Sequence, residues 1–263
     1  MISLNDFYHG FRDPTTIAHL ATLIGEQAAQ TSEQINIMEV CGGHTHTIMK
    51  YGLLPLLPDN IRFIHGPGCP VCIMPKERID HAAVLASQDN VILVTLGDMI
   101  RVPGSMGSLA QYRSKGCDIR PIYDPLDTLT IARDNPDSTV IFFAIGFETS
   151  TPMTAALIAQ AEAQHIPNLL FHINHVLVPP AIDAVMADSR TQVNAFVGPA
   201  HVSVISGARI YQAAVDNYDT PVVVSGFEPV DVMESILRIV RQKVAGEAKL
   251  DNQYSRSVTY DGN

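Results

Sequence analysis

Positive charge is scarce in this sequence. Its 17 lysines and arginines stand against 27 aspartates and glutamates, giving a formal net charge of −10 and an isoelectric point near 5.3. Nucleic-acid phosphates demand clustered basic side chains, so a nucleic-acid partner is not expected. An anionic membrane surface is disfavoured for the same reason. Long apolar runs are also missing. The longest, 91–96 and 140–145, are strand-sized, far short of the roughly 20 residues of a membrane span. The opening residues, Met1-Ile2-Ser3-Leu4-Asn5-Asp6-Phe7-Tyr8-His9, carry neither the basic start nor the apolar stretch of a secretory signal. The expectation is a cytoplasmic protein that binds neither membrane nor nucleic acid.

Two nucleotide-binding signatures are absent as well. There is no P-loop, and no Gly-x-Gly-x-x-Gly lies between a strand and a helix, which leaves a dinucleotide dehydrogenase or P-loop ATPase unsupported. Cysteine is sparse at 4 residues, and in a reducing compartment so few thiols are read as ligands or redox groups rather than disulfides.

What is present is core-forming material: 46% of residues are apolar and only 17% charged. Short β-branched runs alternate with helical patterns, the mark of parallel βαβ units. A first helix is predicted over 15–30, with Ile17, Leu20, Ala21, Ile24 and Ala28 on one face. Strands are predicted at 35–40, 60–65, 91–96 and 118–123, then at 139–145, 168–173, 195–197 and 221–225. The last leads into an amphipathic helix striped by Met233, Ile236, Leu237, Val240 and Val244. The fold class expected is α/β, with two similar Rossmann-like domains over 1–128 and 129–263. Each would hold a parallel sheet of about four strands flanked by helices. Gly-Phe-Glu recurs at 146–148 and 226–228, a weak hint of duplication.

The chemistry-bearing residues cluster where strands run out into loops. Cys41-Gly42-Gly43-His44-Thr45-His46 follows the first strand, Gly66-Pro67-Gly68-Cys69-Pro70-Val71-Cys72 the second and Gly97-Asp98 the third. Later come Gly146-Phe147-Glu148-Thr149-Ser150-Thr151-Pro152, Asn174-His175, Gly198-Pro199-Ala200-His201 and Gly226-Phe227-Glu228-Pro229. Open parallel sheets bind ligands beyond the carboxyl ends of their strands, so these loops are expected to converge on a site. Cys69 and Cys72 form a CxxC pair, able to close a disulfide or to give two ligands to one metal. Cys41 is the third thiol, making Cys41, Cys69 and Cys72 the candidate metal ligands. His44 is a candidate ligand, proton shuttle or hydrogen-bond donor. Glu148 and Glu228 are read as general acids, turn caps or acceptors for backbone amides of the facing half. Thr149, Ser150 and Thr151 are suited to cap the next helix. Arg101 and His201, with Thr149, are candidates for contacting an anionic bound group. Cys117 precedes a strand and receives no role. Two other readings stand beside thiolate-bound iron: a dithiol–disulfide oxidoreductase on Cys69 and Cys72, and a zinc-stabilised module using the three cysteines and one histidine.

The strings Cys41-Gly-Gly-His-Thr-His46, Gly66-Pro-Gly-Cys-Pro-Val-Cys72 and Gly146-Phe-Glu-Thr-Ser-Thr-Pro152, in this order, resemble the HypD family of hydrogenase maturation factors. Gly97-Asp98, Arg101-Val-Pro-Gly104, His201-Val-Ser203, Gly226-Phe-Glu-Pro229 and Asn252-Gln-Tyr254 extend the likeness along the chain. The resemblance implies assembly of iron carrying two cyanides and one carbon monoxide, Fe(CN)2(CO), with a small HypC-type partner and cyanide from a HypE-type donor. It also implies iron held by Cys41 together with a partner cysteine, with Cys69 and Cys72 in iron binding or redox work. Family members further carry a four-iron four-sulfur (4Fe-4S) cluster, whose ligands are absent from this sequence because no cysteine follows Cys117. Ser150 stands where the family usually shows threonine, a change that keeps the hydroxyl.

Overall fold

The structure, a computed structural model, describes residues 8–262. In chain order the elements are α1 (Pro14–Ala28), β1 (Ile35–Glu39), α2 (Gly42–Lys50), β2 (Ile61–His65), α3 (Pro70–Ile73), α4 (Glu77–Ala86), β3 (Val91–Leu96), α5 (Leu109–Ser114), β4 (Asp118–Ile122) and α6 (Asp127–Asp134). They continue as β5 (Thr139–Gly146), α7 (Thr151–Ala163), β6 (Leu169–His175), α8 (Val178–Met186), β7 (Ala195–Pro199), α9 (Ala200–Ser206), α10 (Gln212–Tyr218), β8 (Val222–Ser225), α11 (Pro229–Ala245) and β9 (Leu250–Asn252). Among the described residues no helix is long and apolar enough to cross a membrane.

The chain forms two α/β units, each built on a wholly parallel sheet. The sequence reading puts one boundary at 128. The structure divides the chain differently: the first unit takes residues up to Cys69 and from Val178 onward, and the second takes Pro70–Leu177. The second unit is thus inserted between β2 and β7. Pairing explains why a linear cut fails. β1 lies between β2 and β7, and Asn36 N–H donates to the Asn194 side chain at 2.8 Å across 158 positions of sequence.

The first sheet has the order β2-β1-β7-β8-β9 and the second β4-β3-β5-β6. Taken in each unit's own chain order, both begin second-first-third-fourth, so the expected similarity of the halves holds at the level of topology. The Gly-Phe-Glu repeats are not equivalent, however. One ends the third strand of its sheet, β5, and the other follows the fourth, β8. In each sheet the switch point, where successive connections leave in opposite directions, lies between the first and third strands: β1/β7 in one, β3/β5 in the other.

Local chemistry sets the elements. Asp13 caps α1, accepting from Thr16 N–H at 2.8 Å, and Pro14 supplies a first residue that needs no donor. α11 starts on Pro229 and stops at Gly246, whose φ of 65° suits glycine. Of the predicted stripe of α11, Met233, Ile236, Leu237 and Val240 are buried and Val244 partly so; with Val232 and Ile239 they pack with Ile17 and Ile24 of α1 and with Ile35 and Ile37 of β1. In the second unit the period of two along the strands makes two cores. Leu93, Ile141, Phe143 and Ile145 face α4 and α5, while Val94, Val140, Phe142 and Ala144 face α6 and α7. Pro121 is tolerated in β4 because β4 is an edge strand. The three-residue β9 has no counterpart among the predicted strands, being too short and polar to register as a pattern.

Candidate functional site

At the first unit's switch point, β1 ends in the buried carboxylate of Glu39 and runs through Val40 into Cys41. Cys41 is the N-cap of α2: its backbone is extended, and its Sγ accepts from Gly43 N–H at 3.4 Å. A thiol is an unusual cap, and here the helix start aims amide hydrogens at sulfur. Cys41 is only 8% exposed. Burial pushes its thiol pKa up, partly offset by the Gly43 and His44 N–H groups. The resting group is therefore the thiol, and a metal would have to displace its proton.

The glycines around Cys41 have a steric reason. A Cβ on Gly43 would lie 2.8 Å from the Phe227 ring, and one on Gly68 would lie 2.3 Å from Gly42 N and 2.8 Å from the Cys41 carbonyl carbon. The loops after β1 and β2 thus touch main chain to main chain, with Gly66 N–H donating to Glu39 O at 2.9 Å and Gly42 N–H to Gly68 O at 3.4 Å. This brings the segment leading to Cys69 against Cys41. Cys69, half-buried, closes the first unit's opening segment, and the exposed Cys72 belongs to the second, in α3. No disulfide joins any of the four cysteines. Among the described residues, no three of His, Cys, Asp and Glu form a group able to hold a metal ion.

His44 is placed differently from a ligand-facing donor. Its ring is fully buried and stacks on Phe227 with 4.6 Å between centroids. Nε2 lies 3.0 Å from Gly226 O and 3.3 Å from Ser225 O. Carbonyls only accept, so Nε2 carries the proton, and that N–H is spent on the main chain after β8. Nδ1 is buried without a hydrogen-bond partner among the described residues. A second proton there would be a buried charge, and burial lowers the His44 pKa from 6.5 to about 4. His44 thus ties the Cys41 helix to the Gly226-Phe227 turn. His201, at the start of α9, is exposed, its ring 5.3 Å from that of Phe227.

The sign of the His44 effect on stability follows directly. Below pH 6.5 the unfolded chain takes up a proton that the folded chain refuses until about pH 4. Folding stability should therefore fall as pH drops from 6.5 toward 4, by at most roughly 3 kcal/mol from this group. Urea midpoints measured across that window should show the loss in the parent chain and a flatter profile in His44→Gln.

In the second unit the other candidates flank the β3/β5 switch point. Gly146 has φ of 150°, and a Cβ there would fall 1.6 Å from Ser150 Oγ, so the turn after β5 requires glycine. The hydroxyls of Ser150 and Thr151 donate back to Phe147 O at 3.1 and 3.0 Å. They stabilise the turn rather than capping α7, whose N-cap Ser150 makes no side-chain cap bond. This departs from the capping role read from sequence. Glu148 is half-buried, Thr149 exposed, and Arg101, at the end of the single turn Gly97–Arg101 after β3, exposed.

Two organising residues escaped the sequence reading. Glu39, whose only signal was an acid closing an apolar strand, accepts from Cys41 N–H at 3.2 Å, from Thr45 Oγ1 at 2.5 Å and from His65 Nδ1 at 2.5 Å. Asp231, read merely as part of a helix, binds Arg256 at 2.6 and 2.8 Å and Gln253 at 2.9 Å. Glu228, weighed as an acid or cap, instead pairs with Arg12.

With this geometry in view, residues 15–263 match the family model HypD, described as hydrogenase formation hypA family. The chain belongs to the HypD family. Curated relatives named hydrogenase maturation factor HypD include those of Rhodobacter capsulatus, 44% identical over 98% of this chain and 69% of the relative, and Azotobacter vinelandii, 47% identical over 96% and 68%. That of Escherichia coli is 42% identical over 98% and 70%. These identities span both units, so the HypD assignment covers the β1–β2 loops and the Gly-Phe-Glu-Thr-Ser-Thr-Pro turn alike.

Proposed function

We propose that this HypD-family chain acts in the cytoplasm in hydrogenase maturation, as the scaffold on which an Fe(CN)2(CO) group is assembled. It works with a small HypC-type partner and takes cyanide from a HypE-type donor. The iron group is cargo: it is built, then passed on. One observation carries the reading: Cys41 sits at a parallel-sheet switch point, its sulfur facing helix N–H donors, with the Cys69-bearing loop packed against it. A soft thiolate suits low-spin iron that back-donates into cyanide and carbon monoxide. The resulting anionic group gains from N–H donors such as Gly43 N–H. Cys69 and Cys72 form the second element, because closing a disulfide between them releases two electrons and two protons. That supply is suited to ligand transfer from a cyanide carrier. Arg101, Glu148, Thr149 and His201, all near strand ends, are proposed contacts of the cargo or its donor.

Infrared spectroscopy of the chain co-purified with its small partner tests the proposal, since cyanide and carbonyl stretches fall in an otherwise empty window. The parent complex should show these bands, and Cys41→Ala should abolish them. Absence of these bands from the parent complex, together with full function in Cys41→Ala and loss of function only in Cys69→Ala and Cys72→Ala, would instead identify a dithiol–disulfide oxidoreductase. The exposed position of Cys72 is the observation that keeps this second reading in view.

A further inference from the structure

The carboxylate of Glu39 is completely buried and sits two residues before Cys41. Burying a carboxylate is costly unless each oxygen is satisfied. Here the satisfaction comes from three places that matter to the site. Oε2 accepts the N–H of Cys41 itself; Oε1 accepts the Thr45 hydroxyl from the first turn of α2 and the His65 ring N–H from the end of β2. His65 stands immediately before Gly66-Pro67-Gly68-Cys69, and its side chain is 38% exposed. One anionic group therefore grips the cysteine, the helix that the cysteine caps and the strand end that feeds the second cysteine loop. The main-chain bonds from Gly66 N–H and Gly42 N–H join the same two loops but pass no side chain to Cys41.

We propose that Glu39 is a positioning residue for iron-group assembly, its carboxylate fixing Cys41 against the Cys69 loop through Thr45 and His65. The inference rests on the scaffold reading above, and its physical content is geometric. Hydrogen bonds to a charged acceptor are the stronger kind and directional, so three converging on one buried carboxylate hold the loop in a single arrangement. Without them, the Cys41 segment keeps its glycine contacts but gains freedom at the sulfur.

Two variants and two readouts test this. Glu39→Gln removes the charge and part of the accepting capacity; Thr45→Val removes one donor at a half-buried site and should leave the fold intact. In the chain alone, the iodoacetamide labelling rate of Cys41 is measured by mass spectrometry, with Cys117 in the other unit as internal reference. In the partner complex, cyanide and carbonyl bands are recorded. The expected result is a rise in Cys41 labelling of roughly tenfold for Glu39→Gln and severalfold for Thr45→Val, with Cys117 unchanged, and shifted or weakened bands. A purely structural role would not move band positions. If Cys117 labelling rises too in Glu39→Gln, that variant has loosened globally and Thr45→Val decides. Parent-like labelling and bands in Thr45→Val and in any folded Glu39→Gln would overturn the proposal, as would raised labelling with parent bands. Absence of bands in the parent complex sinks the scaffold reading instead, and is recognised separately because the labelling arm needs no iron.

Discussion

Gly68→Ala is expected to abolish the proposed assembly of the iron group while leaving the second unit folded. The added methyl would sit 2.3 Å from Gly42 N, 2.8 Å from the Cys41 carbonyl carbon and 3.1 Å from Cys41 Cα. All three are backbone atoms, so no side-chain rotation relieves the clash. The loops after β1 and β2 must part, breaking the Gly42 N–H to Gly68 O bond and moving Cys41 relative to Cys69. Overpacking of this kind costs roughly 1–3 kcal/mol, occasionally more. The functional loss should exceed the stability loss because the displaced atoms carry the candidate thiol. Infrared bands in the partner complex should disappear, while the thermal midpoint drops by only a few degrees. Parent-like band positions in Gly68→Ala would show that the close approach of the two loops is irrelevant to the activity.

Asp231→Ala should produce the largest loss of stability in the first unit. Asp231 is fully buried near the start of α11 and accepts from both terminal nitrogens of Arg256 and from Gln253. Arg256 lies between the rings of Phe11 and Tyr254, with distances of 4.2 and 3.9 Å to their centroids. Gly226 belongs to the same cluster, since a Cβ there would meet Asp231 and Tyr254 at 2.2 and 2.5 Å. Removing the carboxylate strips the guanidinium, whose side chain is 34% exposed, of its partner and leaves the Gln253 amide only its bond to Glu234 Oε2 at 3.2 Å. Truncating one partner of a fully buried pair costs about 3–5 kcal/mol, and because solvent reaches the remaining Arg256 guanidinium the loss here should lie below that range, at about 1–3 kcal/mol. The Gly226-Phe227 turn, which His44 holds by hydrogen bond and stacking, would lose its support from behind. Chemical denaturation should show the loss. Because the two units are separate compact bodies, a probe in the second should report a smaller change than one in the first. Equal loss of stability in both would argue that they unfold as one.

The strand pattern was legible because parallel strands, buried on both faces, are written as short β-branched runs closed by glycine. Val91–Leu96 is read from sequence with its observed bounds, and the others fall within about two residues. The loop residues were legible for a related reason. Cysteine, histidine and paired glycines gathered at several strand ends are uncommon as packing material, so their placement points to a candidate site even where, as with His44, the side chain also packs. Their individual roles were less so. His44 reads from sequence as a donor to a ligand, and its burial beneath Phe227 turns it toward the main chain. Glu39 reads as nothing, because a single acid at the end of an apolar strand looks like the strand's edge.

What the sequence determined by itself was local: which segments become strands and helices, where glycine is obligatory, and which side chains have chemistry to offer. These depend on backbone conformation and on periodicities of two and 3.6, which operate over a few neighbouring residues. The tertiary structure decided that β1 pairs with β7 rather than with β3, so that residues 70–177 stand as an insertion, and that Cys41 and the Cys69 loop meet while Cys72 falls in the other unit. Such choices depend on how whole faces pack across more than 150 positions of chain, and no local pattern encodes that distance.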